Sequence, residues 1–213
     1  MKKLIVFIFL IAFFIGLKAQ EATLGLIAGA SYYNGELNPR SVLYMPGISA
    51  GVIYKHNFDY RWSLRIGVNY SKLKGNDANS SNTYQQIRNH SFNTQVWDLG
   101  PQVEFNFMRY NPKELNAYYF SPYLTTGILV AVIPDSYTTF QFSIPIGFGF
   151  KYALTNTVTA GLEWAYHWTN SDDIDNLLPD NFILSPSNQM SYNPDTDWYS
   201  FLGAHISVRA VSY

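Results

Sequence analysis

Residues 61–71 read RWSLRIGVNYS, and apolar and polar side chains alternate at every position of this stretch. Five apolar side chains share one face: Trp62, Leu64, Ile66, Val68 and Tyr70. The other face holds small or polar residues: Arg61, Ser63, Arg65, Gly67, Asn69 and Ser71. Because successive side chains of a β-strand point to opposite faces, this period of two predicts a strand with one apolar face.

The same alternation recurs in seven further stretches of the chain. Together with the first, they give predicted strands near 22–33, 47–56, 61–71, 93–108, 119–130, 140–151, 158–168 and 197–211. No linker rich in proline and serine divides them. The sequence therefore predicts a single all-β domain of about eight strands.

The composition of the polar faces favours a membrane barrel over a soluble sheet. These faces consist mainly of Gly, Ser, Asn and Gln. Only 14% of all residues are charged, against about 25% in typical soluble proteins, and 17% are aromatic. Small polar groups suit the narrow lumen of an eight-stranded barrel, and the apolar faces suit lipid. We therefore predict a transmembrane up-and-down antiparallel β-barrel, with a soluble barrel or sandwich as the alternative.

Aromatic residues and connection lengths support the membrane barrel. Rings near the ends of the apolar faces favour the headgroup level of a bilayer: Tyr32, Tyr54, Trp62, Tyr70, Phe107, Phe120, Tyr152, Trp168 and Trp198. Connections are long at 34–46, 72–92 and 169–197 and tight at 57–60 and 153–156. Alternation of long outer and short inner connections is typical of transmembrane barrels. The short outer link 131–138 and the long inner link 109–118 depart from this rule.

The first 20 residues have the order of a cleavable secretory signal. Lys2 and Lys3 precede an apolar run from Leu4 to Leu17, and Lys18-Ala19-Gln20 follows. We expect residues 1–20 to be a signal peptide, residues 21–213 to be the barrel domain, and the protein to reach the cell outer membrane. No later stretch is apolar over the roughly 20 residues that a membrane-spanning helix needs. The chain has no cysteine, so no disulfide stabilises the fold.

Charged residues on the polar faces form the candidate site. Seven are predicted to face the lumen: Arg61, Arg65, Asp98, Glu104, Lys151, Glu163 and Arg209. A hydrated lumen accepts charges that hydrocarbon would penalise. We expect this network to plug the lumen and make it rigid. Arg61 and Glu104 are the expected pair, because a hairpin around the 72–92 link places them opposite each other.

No residue pattern indicates catalysis, a cofactor or a metal. The segment Asn170–Asn176, with Asp180, Asp195 and Asp197, gathers carboxylates but lacks the glycine and closing glutamate of a calcium loop, so a solvated loop is favoured. His167 and His205 are expected inside the barrel at different heights. We predict that the chain is not an enzyme, and its net charge of −1 gives no basis for binding nucleic acid.

Several motifs together resemble a family of small outer-membrane barrels that includes PorG, a component of the type IX secretion system. They are Tyr33–Asn38, Asp98–Phe107, Ser121–Tyr123, Ile144–Gly149, and Glu163–Trp164 leading to Asp172–Asn176. The chain departs from the family pattern at Glu36, where Asp is common, and at the irregular end Val208–Tyr213.

This resemblance implies a non-enzymatic barrel that links the outer membrane to a periplasmic ring of the secretion machinery. Its partners would be outer-membrane lipid and periplasmic ring proteins. The long inner link is the candidate contact for such partners: Tyr110, Asn111, Pro112, Lys113, Glu114, Leu115 and Asn116. The alternatives are a narrow porin-like or adhesin-like barrel that acts through its outer loops, and a barrel enzyme that acts on lipid.

Overall fold

The computed structural model describes residues 22–35, 43–77, 87, 89–111, 117–134, 136, 138–170, 174–175 and 197–209. The predicted signal peptide lies outside these residues. The described part contains nine β-strands: β1 (Ala22–Asn34), β2 (Gly47–Asn57), β3 (Trp62–Asn76), β4 (Ser91–Asn106), β5 (Phe120–Gly127), β6 (Leu129–Val132), β7 (Phe140–Ala153), β8 (Val158–Thr169) and β9 (Trp198–Arg209). None of its helices is long and apolar enough to cross a membrane.

The strands form one closed antiparallel sheet. Consecutive strands pair with each other, except that β5 and β6 each pair with β4 and β7. β1 pairs with β9 from Thr23 opposite Arg209 to Asn34 opposite Trp198. β5 and β6 keep the same register against both β4 and β7, so they form one wall interrupted at Ile128. The predicted up-and-down antiparallel barrel of about eight strands is therefore confirmed. We call the end with the 57–62 turn the inner end, and the end with the 76–91 connection the outer end.

Two prolines explain the interruption between β5 and β6. The Pro101 carbonyl accepts a hydrogen bond from the Ile128 N–H at 3.2 Å, but proline has no N–H to return to the Ile128 carbonyl. On the other side of this wall, the register of β7 places Pro145 opposite Gly127. Pro145 also has no N–H, so a second backbone donor is lost there. Pairing resumes at Leu129 because the register does not change.

Burial in this barrel is the reverse of that in a soluble protein. Along β7 the exposed side chains are apolar and the buried ones are small or polar, as in Phe142 at 59% exposure and Ser143 at 0%. Lys151, further along the same inward face, is 4% exposed. Large apolar groups exposed around a closed sheet require a lipid environment, so a soluble barrel or sandwich is excluded.

At one level of the β3–β4 hairpin, the outward face changes from apolar to polar and the inward face changes from polar to apolar. Up to Tyr70 and Trp97, whose rings lie 4.9 Å apart, the outward face is apolar. Beyond them Lys72 and Lys74 point outward and Leu73 is fully buried. The nine residues from Trp62 to Tyr70 match the roughly 9–11 that a strand needs to cross a bilayer. This level therefore marks the outer boundary of the membrane.

The strands continue past this boundary and enclose a separate apolar cluster. β3 extends to Asn76, five residues beyond its predicted end, because alternation continues there with the two faces exchanged. The buried cluster inside the outer end consists of Tyr33, Leu73, Phe92, Val96, Ala131, Ile133, Ile174 and Tyr199. Of these, Ile174 comes from the connection between β8 and β9. Part of that connection therefore folds into the opening at the outer end of the barrel, which we call the mouth.

Candidate functional site

Glu104 is the centre of the charged network in the inner half of the lumen. One carboxylate oxygen accepts a hydrogen bond from Lys55 Nζ at 2.6 Å, and the other accepts one from Lys151 Nζ at 2.5 Å. All three side chains are buried, and Glu104 is 0% exposed. Because β2, β4 and β7 supply them, the cluster joins three separate walls of the barrel.

A second ion pair crosses the whole lumen. Arg65 Nη1 on β3 lies 2.6 Å from Glu163 Oε2 on β8, and these two walls are diametrically opposite among the eight walls of the barrel. The Tyr123 hydroxyl donates to the same oxygen at 2.7 Å and contacts His205 Nε2 at 3.2 Å. Gly149 is opposite Tyr123 in the sheet, and a Cβ there would collide with the tyrosine ring.

A third connection crosses the lumen nearer its outer end. The Tyr199 hydroxyl on β9 donates to Asp98 Oδ1 on β4 at 2.5 Å, again between opposite walls. The His167 ring stacks on the Tyr199 ring with centroids 4.5 Å apart. These contacts fix Asp98 directly below the apolar cluster of the mouth.

Between the two crossing connections the lumen holds a cavity of about 30 Å³, enough for one or two water molecules. Arg65 Nε, Asn69 Oδ1 and Asp98 Oδ2 have no hydrogen-bond partner among the described residues, and all three residues line the cavity. Water in this cavity would satisfy them. A cavity of this volume is too small to be a channel through the barrel.

Two buried carboxylates of the lumen are paired with buried cations. Glu104 pairs with Lys55 and Lys151, and Glu163 pairs with Arg65, whereas Asp98 accepts a hydrogen bond from the Tyr199 hydroxyl. Pairing of buried charges avoids the several kcal/mol that an isolated buried ion costs. The arrangement therefore acts as an internal framework that holds opposite walls at fixed distances.

Two predicted members of the network lie elsewhere. Arg61 is exposed in the turn after β2, where its guanidinium donates to the Phe107 carbonyl at 3.2 Å. Ser63, not Arg61, is opposite Glu104 in the sheet. The predicted Arg61–Glu104 pair is therefore wrong, and Lys55, which was not among the predicted members of the network, takes that place. Arg209 lies at the inner rim and donates to Asn111 Oδ1 at 2.9 Å.

The start of the long inner link closes the inner end of the barrel. Tyr110 is buried, its hydroxyl lies 2.6 Å from Thr159 Oγ1, and Lys151 Nζ lies 4.6 Å from its ring centroid. Burial raises the pKa of the Tyr110 hydroxyl. The other candidate contact residues, Pro112, Lys113, Glu114, Leu115 and Asn116, lie outside the described residues.

Part of the acidic outer segment is bound into the mouth. The Tyr33 hydroxyl lies 2.9 Å from Asp175 Oδ2 and 2.6 Å from Asp197 Oδ1, and Thr94 Oγ1 donates to the Ile174 carbonyl at 2.8 Å. Residues 171–173, 176, 180 and 195 of the predicted acidic loop lie outside the described residues. Within the described ranges no three acidic, histidine or cysteine side chains are arranged to hold a metal.

Ser143, His167 and Asp98 lie close together but do not have the geometry of a catalytic triad. Ser143 Oγ is 3.4 Å from His167 Nδ1, and Asp98 Oδ2 is 4.0 Å from that same nitrogen. A triad needs the serine and the carboxylate on different ring nitrogens. All three side chains are also buried inside the lumen, where a lipid substrate has no access.

Comparison with known proteins places the chain in a family. Residues 2–209 match DUF6089, a domain family of unknown function. The chain belongs to this family. No curated protein sequence matches this DUF6089 chain.

Several solved structures are similar to this DUF6089 chain. Neisserial surface protein A (NspA) is similar with a TM-score of 0.54 at 13% identity, over 89% of this chain and 97% of that one. The N-terminal β-barrel domain of Pseudomonas aeruginosa OprF gives a TM-score of 0.43 at 12% identity, over 87% and 96%. Ail of Yersinia pestis gives 0.42 at 10% identity, over 87% and 96%. At such identities the likeness to NspA concerns the barrel fold alone.

Proposed function

We propose that this chain is a non-enzymatic outer-membrane β-barrel that anchors a periplasmic ring complex of the type IX secretion system, as the resemblance to the PorG-containing family implies. The observation that supports this role best is the filled lumen. Among the described residues, two connections between opposite walls and the buried Tyr110 side chain occupy the lumen at three levels. A closed, rigid barrel acts through the surfaces at its two ends, with the inner end in the periplasm.

The structure also counts against the two functions that need access to the lumen. Conduction requires a continuous aqueous path, and the cavity of about 30 Å³ between the crossing connections does not supply one. Lipid hydrolysis requires a serine activated by a correctly oriented histidine at an accessible position, and Ser143 is fully buried. We therefore expect no channel current from the purified protein in planar bilayers, and a steady current would contradict the closed lumen.

The periplasmic contact is best tested with a variant that leaves the barrel unchanged. Replacement of residues 112–116 by a Gly/Ser linker of equal length keeps Tyr110 and Asn111, which seat the link against Thr159 and Arg209. The matched control replaces residues 79–86, at the other end of the barrel, in the same way. We expect purification from detergent-solubilised outer membranes to recover periplasmic ring proteins with the wild-type chain and the control, but not with the 112–116 variant.

Two outcomes would contradict this proposal. Equal recovery of ring proteins by the 112–116 variant and the wild-type chain would show that the link is not part of the interface. If the wild-type chain recovers no periplasmic protein at all, the anchoring role itself fails. Folding of each variant is checked beforehand by the mobility shift that folded barrels show on unheated SDS gels.

A second candidate function, adhesion through the outer connections, is favoured by the extension of the barrel above the membrane. The β3–β4 hairpin continues for several residues past Tyr70 and Trp97 and is supported by its own apolar cluster. Such a rigid extension places Asp77 and His90, where the 77–90 connection leaves and rejoins the hairpin, above the membrane boundary. The 79–86 replacement separates the two functions, because it should abolish adhesion to a surface or cell and leave ring-protein recovery intact.

A further inference from the structure

The outward face of the β3–β4 hairpin carries a positively charged patch directly above the membrane boundary. Its members are Lys72, Lys74, Asn93 and Gln95, which we call the lysine patch. In the sheet, Lys72 is opposite Gln95 and Lys74 is opposite Asn93. No outward-facing residue of this part of the hairpin is acidic, so the local charge of the patch is positive.

The two lysines of the patch are available to a ligand. Both side chains are partly exposed, and neither ammonium group has a hydrogen-bond or ion-pair partner among the described residues. At the inner end, by contrast, the exposed arginines are engaged within the protein. Arg61 donates to the Phe107 carbonyl, and the Arg109 guanidinium lies 4.6 Å from the Tyr60 ring centroid.

The height of the patch matches the headgroups of the outer leaflet. Lys72 follows Tyr70 on the same face at a rise of roughly 7 Å along the strand. The Tyr70 hydroxyl donates to Gln95 Oε1 at 3.5 Å, so the aromatic pair and the patch are adjacent. Interfacial aromatic rings lie at the headgroup level. Lysine side chains just beyond that level meet the phosphates of membrane lipids.

We propose that the lysine patch binds the headgroup of a phosphorylated glycolipid in the outer leaflet. The two ammonium groups contact phosphate, since they are cations of this face without a partner among the described residues. The amide groups of Asn93 and Gln95 donate hydrogen bonds to sugar hydroxyls. This inference requires the barrel to lie in the outer membrane with the 77–90 connection outward, but it does not depend on the secretion role.

The test measures lipid binding by the refolded barrel in detergent, with native mass spectrometry as the readout. The ligands are a bis-phosphorylated lipid A and the same lipid after removal of both phosphates. The proteins are wild type, K72Q/K74Q, the charge-retaining K72R/K74R, and R61Q/R109Q as a control at the other end. Each barrel is first shown to be folded by its gel mobility.

We expect K72Q/K74Q to bind the phosphorylated lipid about tenfold more weakly than wild type, because each lysine near an anionic surface contributes of the order of a few-fold. The affinities of K72R/K74R and R61Q/R109Q for the phosphorylated lipid should stay within about twofold of the wild-type value. Wild type should bind the dephosphorylated lipid as weakly as K72Q/K74Q binds the phosphorylated lipid. Inorganic phosphate at the lipid concentration should not compete. Wild-type affinity in K72Q/K74Q, equal binding of both lipids, or displacement by inorganic phosphate would each overturn the proposal.

Discussion

Substitution of Glu104 by glutamine tests the charged framework of the lumen most sharply. Glutamine keeps the size of the side chain and one accepting oxygen but removes the negative charge. In wild type this fully buried carboxylate receives Lys55 at 2.6 Å and Lys151 at 2.5 Å, one on each oxygen. The substitution therefore leaves two buried ammonium groups facing each other without a counter-charge.

The expected loss of stability follows from this geometry. Two ammonium groups on the two oxygens of one carboxylate lie about 5 Å apart, and at an effective dielectric constant of about 20 their repulsion is about 3 kcal/mol. Removing one member of a buried ion pair costs roughly 3–5 kcal/mol in measured cases. We expect Glu104→Gln to lower the free energy of unfolding by about 3–5 kcal/mol.

The assay is urea unfolding of the barrel in lipid vesicles, followed by tryptophan fluorescence. Arg61→Gln is the control, because Arg61 is exposed and does not contact Glu104, and its effect should stay within about 0.5 kcal/mol. Joint replacement of Lys55, Glu104 and Lys151 by methionine should restore stability to within about 2 kcal/mol of wild type, since it removes all three charges together. A loss below about 1 kcal/mol in Glu104→Gln would refute the reasoning.

Three further substitutions test the closure of the barrel and the second ion pair. Gly29→Val should prevent folding, because a Cβ at Gly29 would overlap the Gly203 backbone on β9; a normal gel mobility shift would contradict this. Tyr123→Phe should cost about 1–3 kcal/mol in urea unfolding through the lost hydrogen bond to Glu163, and no change would show that bond to be unimportant. Arg65→Met should cost more, about 3–5 kcal/mol, and a smaller loss than in Tyr123→Phe would argue against the crossing ion pair.

The strands and their faces could be predicted because both depend on local alternation. The stretch 140–151 alternates without a break, and each of its side chains lies on the face that its parity requires. The extension of β3 past residue 71 could not be predicted in the same way. There the alternation continues, but the polar Lys72 faces outward and the apolar Leu73 faces inward. This reversal depends on where the membrane ends, and the local sequence pattern does not indicate that position.

The partners inside the lumen were harder to predict than the directions of side chains. Alternation at 47–56 places Lys55 inward, so a signal for it existed, but its contact with Glu104 depends on the stagger of β2 against β4. Arg61 was misassigned because it belongs to a turn, where strand parity no longer applies. Tyr123 was not predicted because only charged residues were considered for the network, although the parity that places Phe120 outward places Tyr123 inward. Its register opposite Gly149 gives it room inside the barrel.

The Pro101 effect also required the three-dimensional pairing. A proline within a predicted strand signals a lost hydrogen bond but does not identify the strand that loses it. The structure shows that β5–β6 is affected, since the Ile128 N–H bonds to the Pro101 carbonyl. Two prolines flank the same interruption, so the local weakness in pairing is confined to one level of one wall.

The most direct test of the whole account measures which side chains along β7 face lipid. The chain has no cysteine, so a single cysteine can be placed at each position from 142 to 151 and labelled with a nitroxide in vesicles. We predict that labels at Ile144, Ile146 and Phe148 are accessible to oxygen dissolved in the lipid, whereas labels at Ser143 and Lys151 are not. Loss of this period of two, or its reversal, would contradict a barrel with apolar faces outward.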